Sequence, residues 1–194
     1  IRRIRKDVTI SGENTDVLTL QGRDFSFDPR TLQITPTTGG GQHGMTFDPW
    51  GNRFVCSNRN PCTQIVLKDR YIKRNPNLAV PSVVHDVTST GEATKTFPLS
   101  RNWTNHWSHN RQITSACGVF IYRGDALPEQ YRGNCFVCEP AGNLVQRHVL
   151  TPERATFASR RGRDDVEFLA SSDDWFRPVN QASGPDGALY VVDM

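Results

Sequence analysis

Long apolar runs are missing from this 194-residue chain: no stretch approaches the roughly 20 residues that a membrane-crossing helix needs. Charge of one sign is scarce as well, with 23 Lys and Arg against 20 Asp and Glu. A net charge of +3 is too small to imply a nucleic-acid partner, and the clusters Arg2-Arg3-Arg5-Lys6 and Arg160-Arg161-Arg163 read as solvated loops rather than phosphate tracks. No segment carries the 3.6-residue apolar period of a helix longer than two turns. Cysteine is not scarce, with five at 56, 62, 117, 135 and 138, but the patterns that would give them chemistry are absent. Cys135-Phe136-Val137-Cys138 lies in a strand-like run, not at a helix start that would lower a thiol pKa. No His follows Cys138 to signal haem attachment, and Cys56 to Cys62 is too loosely spaced to complete a four-thiolate zinc site. Five cysteines without a metal motif favour an oxidising compartment.

What is present is a repeat. Gly51-Asn52-Arg53-Phe54-Val55-Cys56, Gly133-Asn134-Cys135-Phe136-Val137-Cys138 and Gly187-Ala188-Leu189-Tyr190-Val191-Val192 each place a turn glycine ahead of a short apolar strand. Two copies follow Asp48-Pro49-Trp50 and Pro185-Asp186. Radially repeated all-β folds are built this way, because one small sheet cannot bury both faces unless its neighbours stack on it. The glycines are 82 and 54 residues apart, and a blade takes roughly 40 to 50 residues. The expectation is therefore an all-β, partial β-propeller of about three to four blades over residues 1–194, with a polar insertion at about 68–112. A partial propeller leaves its terminal blades open, so the remaining blades of a longer protein, or partner chains, are expected to cover them.

Within this frame, Gly118 to Tyr122 and Asn134 to Cys138 read as antiparallel neighbours, which brings Cys117 opposite Cys138, with Cys56 competing for the same partner. Val166 to Ala170 reads as a further strand, and Asp186 as the structural residue of a Pro-Asp-Gly turn.

Several motifs resemble a known family. Thr114 to Pro128, Tyr131-Arg132-Gly133-Asn134, Cys138-Glu139-Pro140, Trp175-Phe176-Arg177-Pro178 and Gly184-Pro185-Asp186-Gly187 are similar to the propeller domain of the membrane-bound dehydrogenases of planctomycetes, itself similar to soluble glucose and sorbosone dehydrogenases. The resemblance implies an exported oxidoreductase acting on a sugar or polyol with pyrroloquinoline quinone and calcium. It further implies a periplasmic or extracytoplasmic location, membrane association through segments outside this sequence, and a haem c domain outside it too. Set against that pattern, Gly39 to Gly44 lacks the family's Arg-Asn pair, Glu139-Pro140-Ala141 stands where the family carries a lysine, and Val179 stands in place of a second arginine beside Arg177.

Four residues are the site candidates. His43, among glycines at the start of a strand, could act as a general base or be a solvated turn histidine. His109 is a second catalytic candidate, beside His106. Trp107 offers a ring as a wall for a sugar or quinone, or packs an insertion on the fold. Arg177 either aims its guanidinium at an anion or ties neighbouring blades through backbone carbonyls. A non-catalytic propeller that binds carbohydrate or supports assembly is the alternative function.

Overall fold

The structure is a computed structural model that describes residues 7–8, 18–20, 22–100 and 110–194. Among them the chain is all-β, with helix confined to the four residues of α1 (Asp69–Ile72) and single 3-10 turns. Its strands form separate antiparallel sheets that do not close into a barrel. β1 (Asp7–Val8) pairs with β2 (Leu18–Thr19), and β3 (Asp24–Phe27) with β4 (Ile34–Thr37). A four-stranded meander follows: β5 (Met45–Phe47), β6 (Arg53–Ser57), β7 (Asn60–Ile65) and β8 (Val84–Asp86). The next runs β9 (Cys117–Ile121), β10 (Cys135–Glu139), β11 (Leu144–Glu153) and β12 (Thr156–Arg161), with β13 (Leu169–Ala170) paired to the first residues of β11. β14 (Pro178–Ser183) and β15 (Leu189–Asp193) form the last hairpin.

The repeat glycines explain the turns. Gly51, Gly133 and Gly187 have φ of +82°, +76° and +76°, a region that costs a side chain dearly. Ahead of Gly51, Asp48 Oδ1 accepts from the amides of Trp50 and Asn52 at 3.0 and 2.8 Å. Asp186 serves its own turn, accepting from the Ala188 amide at 3.1 Å and the Tyr190 hydroxyl at 2.9 Å. Phe54, Phe120, Phe136 and Tyr190 all lie in strands, as the repeat predicts.

β10 is the centre of the core, buried along its whole length. Alternation sends Cys135 and Val137 to one face, where they meet Phe54, Cys62, Val119 and Ile121 between the two meanders. Phe136 and Cys138 go to the other face, with Tyr122 and Val145, against Leu189 and Val191 of the last hairpin. At roughly 1.5–3 kcal/mol per large side chain buried, this double-sided burial is the main adhesive between sheets. Tyr122 adds a polar tie, donating to Gly187 O at 2.5 Å and accepting from the Leu127 amide at 3.0 Å.

Consecutive sheets meet through their first strands, β9 lying against both β5 and β14. The Gly118 amide donates to His43 O at 2.8 Å, and Gln181 Nε2 donates to Gly118 O at 3.1 Å. Two local expectations need correction. The stretch 68–112 is not wholly an insertion, because it supplies β8. That strand is short and mixed in composition, and is held by pairing to β7 and by His85 Nε2 at 3.0 Å from Phe157 O. Only Leu169–Ala170 of the 166–170 run is strand, because Glu167 turns inward to satisfy buried groups.

Candidate functional site

The starts of β5, β9 and β14 and the end of β10 fall at one end of the sheets. Here the loops around His43, Thr114-Ser115, Pro140 and Arg177 converge. Glu139, the last residue of β10, is 1% exposed. Its Oε2 accepts from the Ser115 and Thr114 amides at 2.9 and 3.2 Å, and Ala141 supplies a further backbone amide. Burial still outweighs these donors and pushes the carboxyl up to about 7.

His43 is exposed at the start of β5, its carbonyl engaged by Gly118. Arg177, half-buried before β14, donates from Nη1 to Pro140 O at 2.7 Å, while its own amide donates to Asp193 Oδ1 at 2.6 Å. It therefore ties the β10–β11 turn to the last hairpin. No contact joins it to His43: Cys117-Gly118 stands between, with Cys117 Sγ 3.9 Å from Pro178 O. His109 and Trp107 lie outside the described residues, as does His106.

Beside this end stands a turn that sequence reasoning passed over as a route into the last repeat. Trp175 is 86% exposed, yet its turn is fixed. Asp173 Oδ1 accepts from the Trp175 amide at 2.9 Å, and the buried Asn143 donates from Nδ2 to Asp174 O and Phe176 O at 3.3 and 2.6 Å. The Ser171 amide donates to Asn143 O at 3.0 Å, so one asparagine holds both ends of the loop. Asn143 can do this because it occupies the left-handed region at φ +55°, which asparagine tolerates.

A second polar group ties the same sheet to the 95–97 segment. Arg161 Nη2 lies 3.0 Å from Glu167 Oε2, with side chains 12% and 1% exposed. Glu167 Oε1 accepts from the Phe97 amide at 2.9 Å, Arg161 Nη1 donates to Lys95 O at 2.6 Å, and Gln146 Nε2 donates to the same carbonyl at 3.0 Å. His148 Nε2 is 3.1 Å from Gln146 Oε1. Burial lowers the His148 pKa to about 3, reinforced by the Arg161 charge. Arg161 is thus a buried partner and not a solvated loop residue. Its neighbours Arg160 and Gly162 concealed this in the sequence.

Burial favours the protonated form of four of the thiols. Burial pushes Cys56 up to about 11 and Cys117 up to about 12, and raises Cys138 further. Hydrogen bonding with Cys62, together with burial, does the same to Cys135. Cys117 and Cys138 are register partners as expected, brought opposite by a bulge, and all five cysteines are thiols in this structure. Among the described residues no group of three or more His, Cys, Asp or Glu is placed to hold a metal ion, and no helix is long and apolar enough to cross a membrane.

The model of a protein family described as a domain of unknown function (DUF7133) matches residues 4–194. No curated protein and no solved structure shows a significant match to the chain.

Proposed function

We propose that this chain, which belongs to the family described as a domain of unknown function (DUF7133), forms consecutive blades of a β-propeller that offers a carbohydrate-binding end within a larger assembly. Three features support the propeller reading. The sheets are antiparallel and sequential, the first strands β5, β9 and β14 of the last three lie side by side, and in those three the repeat glycine recurs at one station, between the first and second strands. The outer hairpins expose apolar side chains, Phe27 at one extreme and Tyr190 and Val192 at the other, which suits cover by further blades or partner chains.

The observation that carries the binding function is Trp175. An indole displayed in solvent on a turn clamped by a buried asparagine offers a flat apolar face at little ordering cost, which is what the faces of a sugar ring require. The exposed Asp173 and Asp174 flank it with polar groups suited to hydroxyls. Titration of the protein with neutral and acidic oligosaccharides, followed by calorimetry, tests this. Trp175→Ala is expected to weaken binding at least tenfold without moving the melting temperature. Trp50→Ala, equally exposed but at the opposite end of the sheets, is expected to leave binding unchanged. Equal effects of the two variants, or no binding across the panel, would refute the proposal.

Oxidation of a sugar or polyol is the second reading, favoured by the family resemblance and by the exposed His43 at the same end. Pyrroloquinoline quinone fits the chain's residues poorly. A polyanionic quinone needs cations in a water-poor pocket. Here the stretch Glu139-Pro140-Ala141 that stands where the family carries a lysine holds a buried acid and no cation, and Arg177 Nη1 is engaged by Pro140 O. Dye reduction by protein supplied with the quinone, calcium and a panel of sugars would favour this reading over simple binding.

A further inference from the structure

The five cysteines are distributed over the two faces of β10. Cys135 and Cys138, three residues apart in an extended strand, point to opposite sides, so this CxxC cannot close on itself. Cys135 enters the core between the two meanders, where Cys62 of β7 and Cys56 of β6 are also buried. Cys138 enters the opposite core, whose sulfur neighbour is Cys117 of β9.

Each face thus selects a partner. On the second face Cys117 and Cys138 are register partners and share one cluster, whereas Cys56, near enough to raise both thiols, belongs to the other core cluster. On the first face Cys135 has two neighbours. The Cys135 thiol is hydrogen-bonded with Cys62, and both are fully buried. Cys56 instead directs its Sγ toward Ala116 O at 3.9 Å. A bulge between Val55 and Ser57 also removes Cys56 from regular pairing with β7.

We propose that the mature protein carries two disulfides, Cys62–Cys135 and Cys117–Cys138, with Cys56 as its one free thiol. The odd count of five then needs no external partner. The first bond joins two different sheets and the second joins neighbouring strands of one sheet, so β10 is anchored covalently on both sides. In each case two thiols lose two protons and two electrons, and a disulfide-bearing oxidant such as glutathione disulfide or a dithiol–disulfide oxidoreductase is reduced to two thiols. Because the sulfurs are buried, the exchange belongs to folding, before the core closes. The proposal rests on the extracytoplasmic setting and is independent of what the Trp175 end binds.

Peptide mapping tests it on the full-length protein secreted through an oxidising compartment. The protein is alkylated under denaturing conditions without reduction and cut with trypsin. Expected is one linked species joining residues 60–68, 112–123 and 133–147, with Cys56 alkylated in peptide 54–59. A chymotryptic cut after Phe136 then separates Cys135 from Cys138 and identifies each partner. Cys62→Ala is expected to make Cys135 alkylatable while the Cys117 link persists, and Cys56→Ala to leave both links in place. Five alkylated cysteines, a Cys135–Cys138 bond, or Cys56 in any linkage would overturn the assignment.

Discussion

Glu139→Gln should change how stability responds to pH. The Glu139 carboxyl ionises near 4.5 in an unfolded chain and at about 7 in the folded one, because burial costs the charged form more than its amide donors return. Between those values the folded state holds a proton that the unfolded state has released. The contribution of Glu139 is therefore fully present below about pH 4.5 and is lost as pH rises through about 7. At about 1.36 kcal/mol per pH unit, the gap corresponds to an upper figure of about 3 kcal/mol. The glutamine amide of the variant stays neutral, keeps a carbonyl oxygen for the Thr114 and Ser115 amides, and has no such dependence. Other groups complicate the curve of either protein alone. His148, held down at about 3, removes stability as pH falls below about 6.5, and Glu167, raised by burial, acts in the same direction as Glu139. His148 is common to the two proteins and cancels in the difference, and Glu167 enters it only through the like-charge repulsion that adds to the Glu139 shift. Urea unfolding of wild type and Glu139→Gln at pH 5 and pH 8 gives that difference directly. The variant should gain on the wild type by roughly 2–3 kcal/mol from the lower to the higher pH. A difference flat to within about 0.5 kcal/mol would show that the carboxyl is not desolvated as described.

Arg161→Ala leaves the buried Glu167 without its partner and should cost about 3–5 kcal/mol, whereas the double change Arg161→Met with Glu167→Gln should recover much of that loss in thermal melts. A penalty below about 1 kcal/mol would place the pair among ordinary surface bridges. His148 should remain a neutral imidazole in the folded protein at pH 5, as read from its ring nitrogen shifts; an imidazolium signal there would contradict its burial. Gly118→Ala puts a β-carbon 2.7 Å from Asn180 Cα at φ +58° and should cost roughly 2–5 kcal/mol. Gly133→Ala, at φ +76° with nothing within 4 Å, should cost only about 1–2 kcal/mol in the same urea titration.

The sequence could be read where a single residue type is physically compelled. The repeat glycines sit at positive φ, so their spacing marked the turns. β10 is buried on both faces, so its apolar run marked a strand. Glu139 could not be read the same way, because a carboxylate ending an apolar strand looks like the point where the chain meets water. Its burial is made by amides about 25 residues upstream, which no local pattern records. Arg161 was hidden by composition, since its partner Glu167 belongs to a stretch that reads as strand. For Arg177 the sequence allowed both an anion-facing and a sheet-tying role, and no local pattern records the Pro140 carbonyl that the fold brings to its Nη1. Trp175 was legible as an aromatic but not as a displayed one, because the clamp that presents it comes from Asn143, on the far side of β13 in sequence.

Where the first strands of neighbouring sheets meet, a β-carbon on Gly44 would lie 3.0 Å from the Gly118 and Val119 amides, and one on Gly118 would strike Val179 and Asn180. The step from one sheet to the next is there the thickness of two bare backbones. A side chain at either glycine would act as a wedge, prising the sheets apart at this end while the aromatic packing farther along held them together. How closely these neighbouring sheets approach one another at this end is set by two hydrogen atoms.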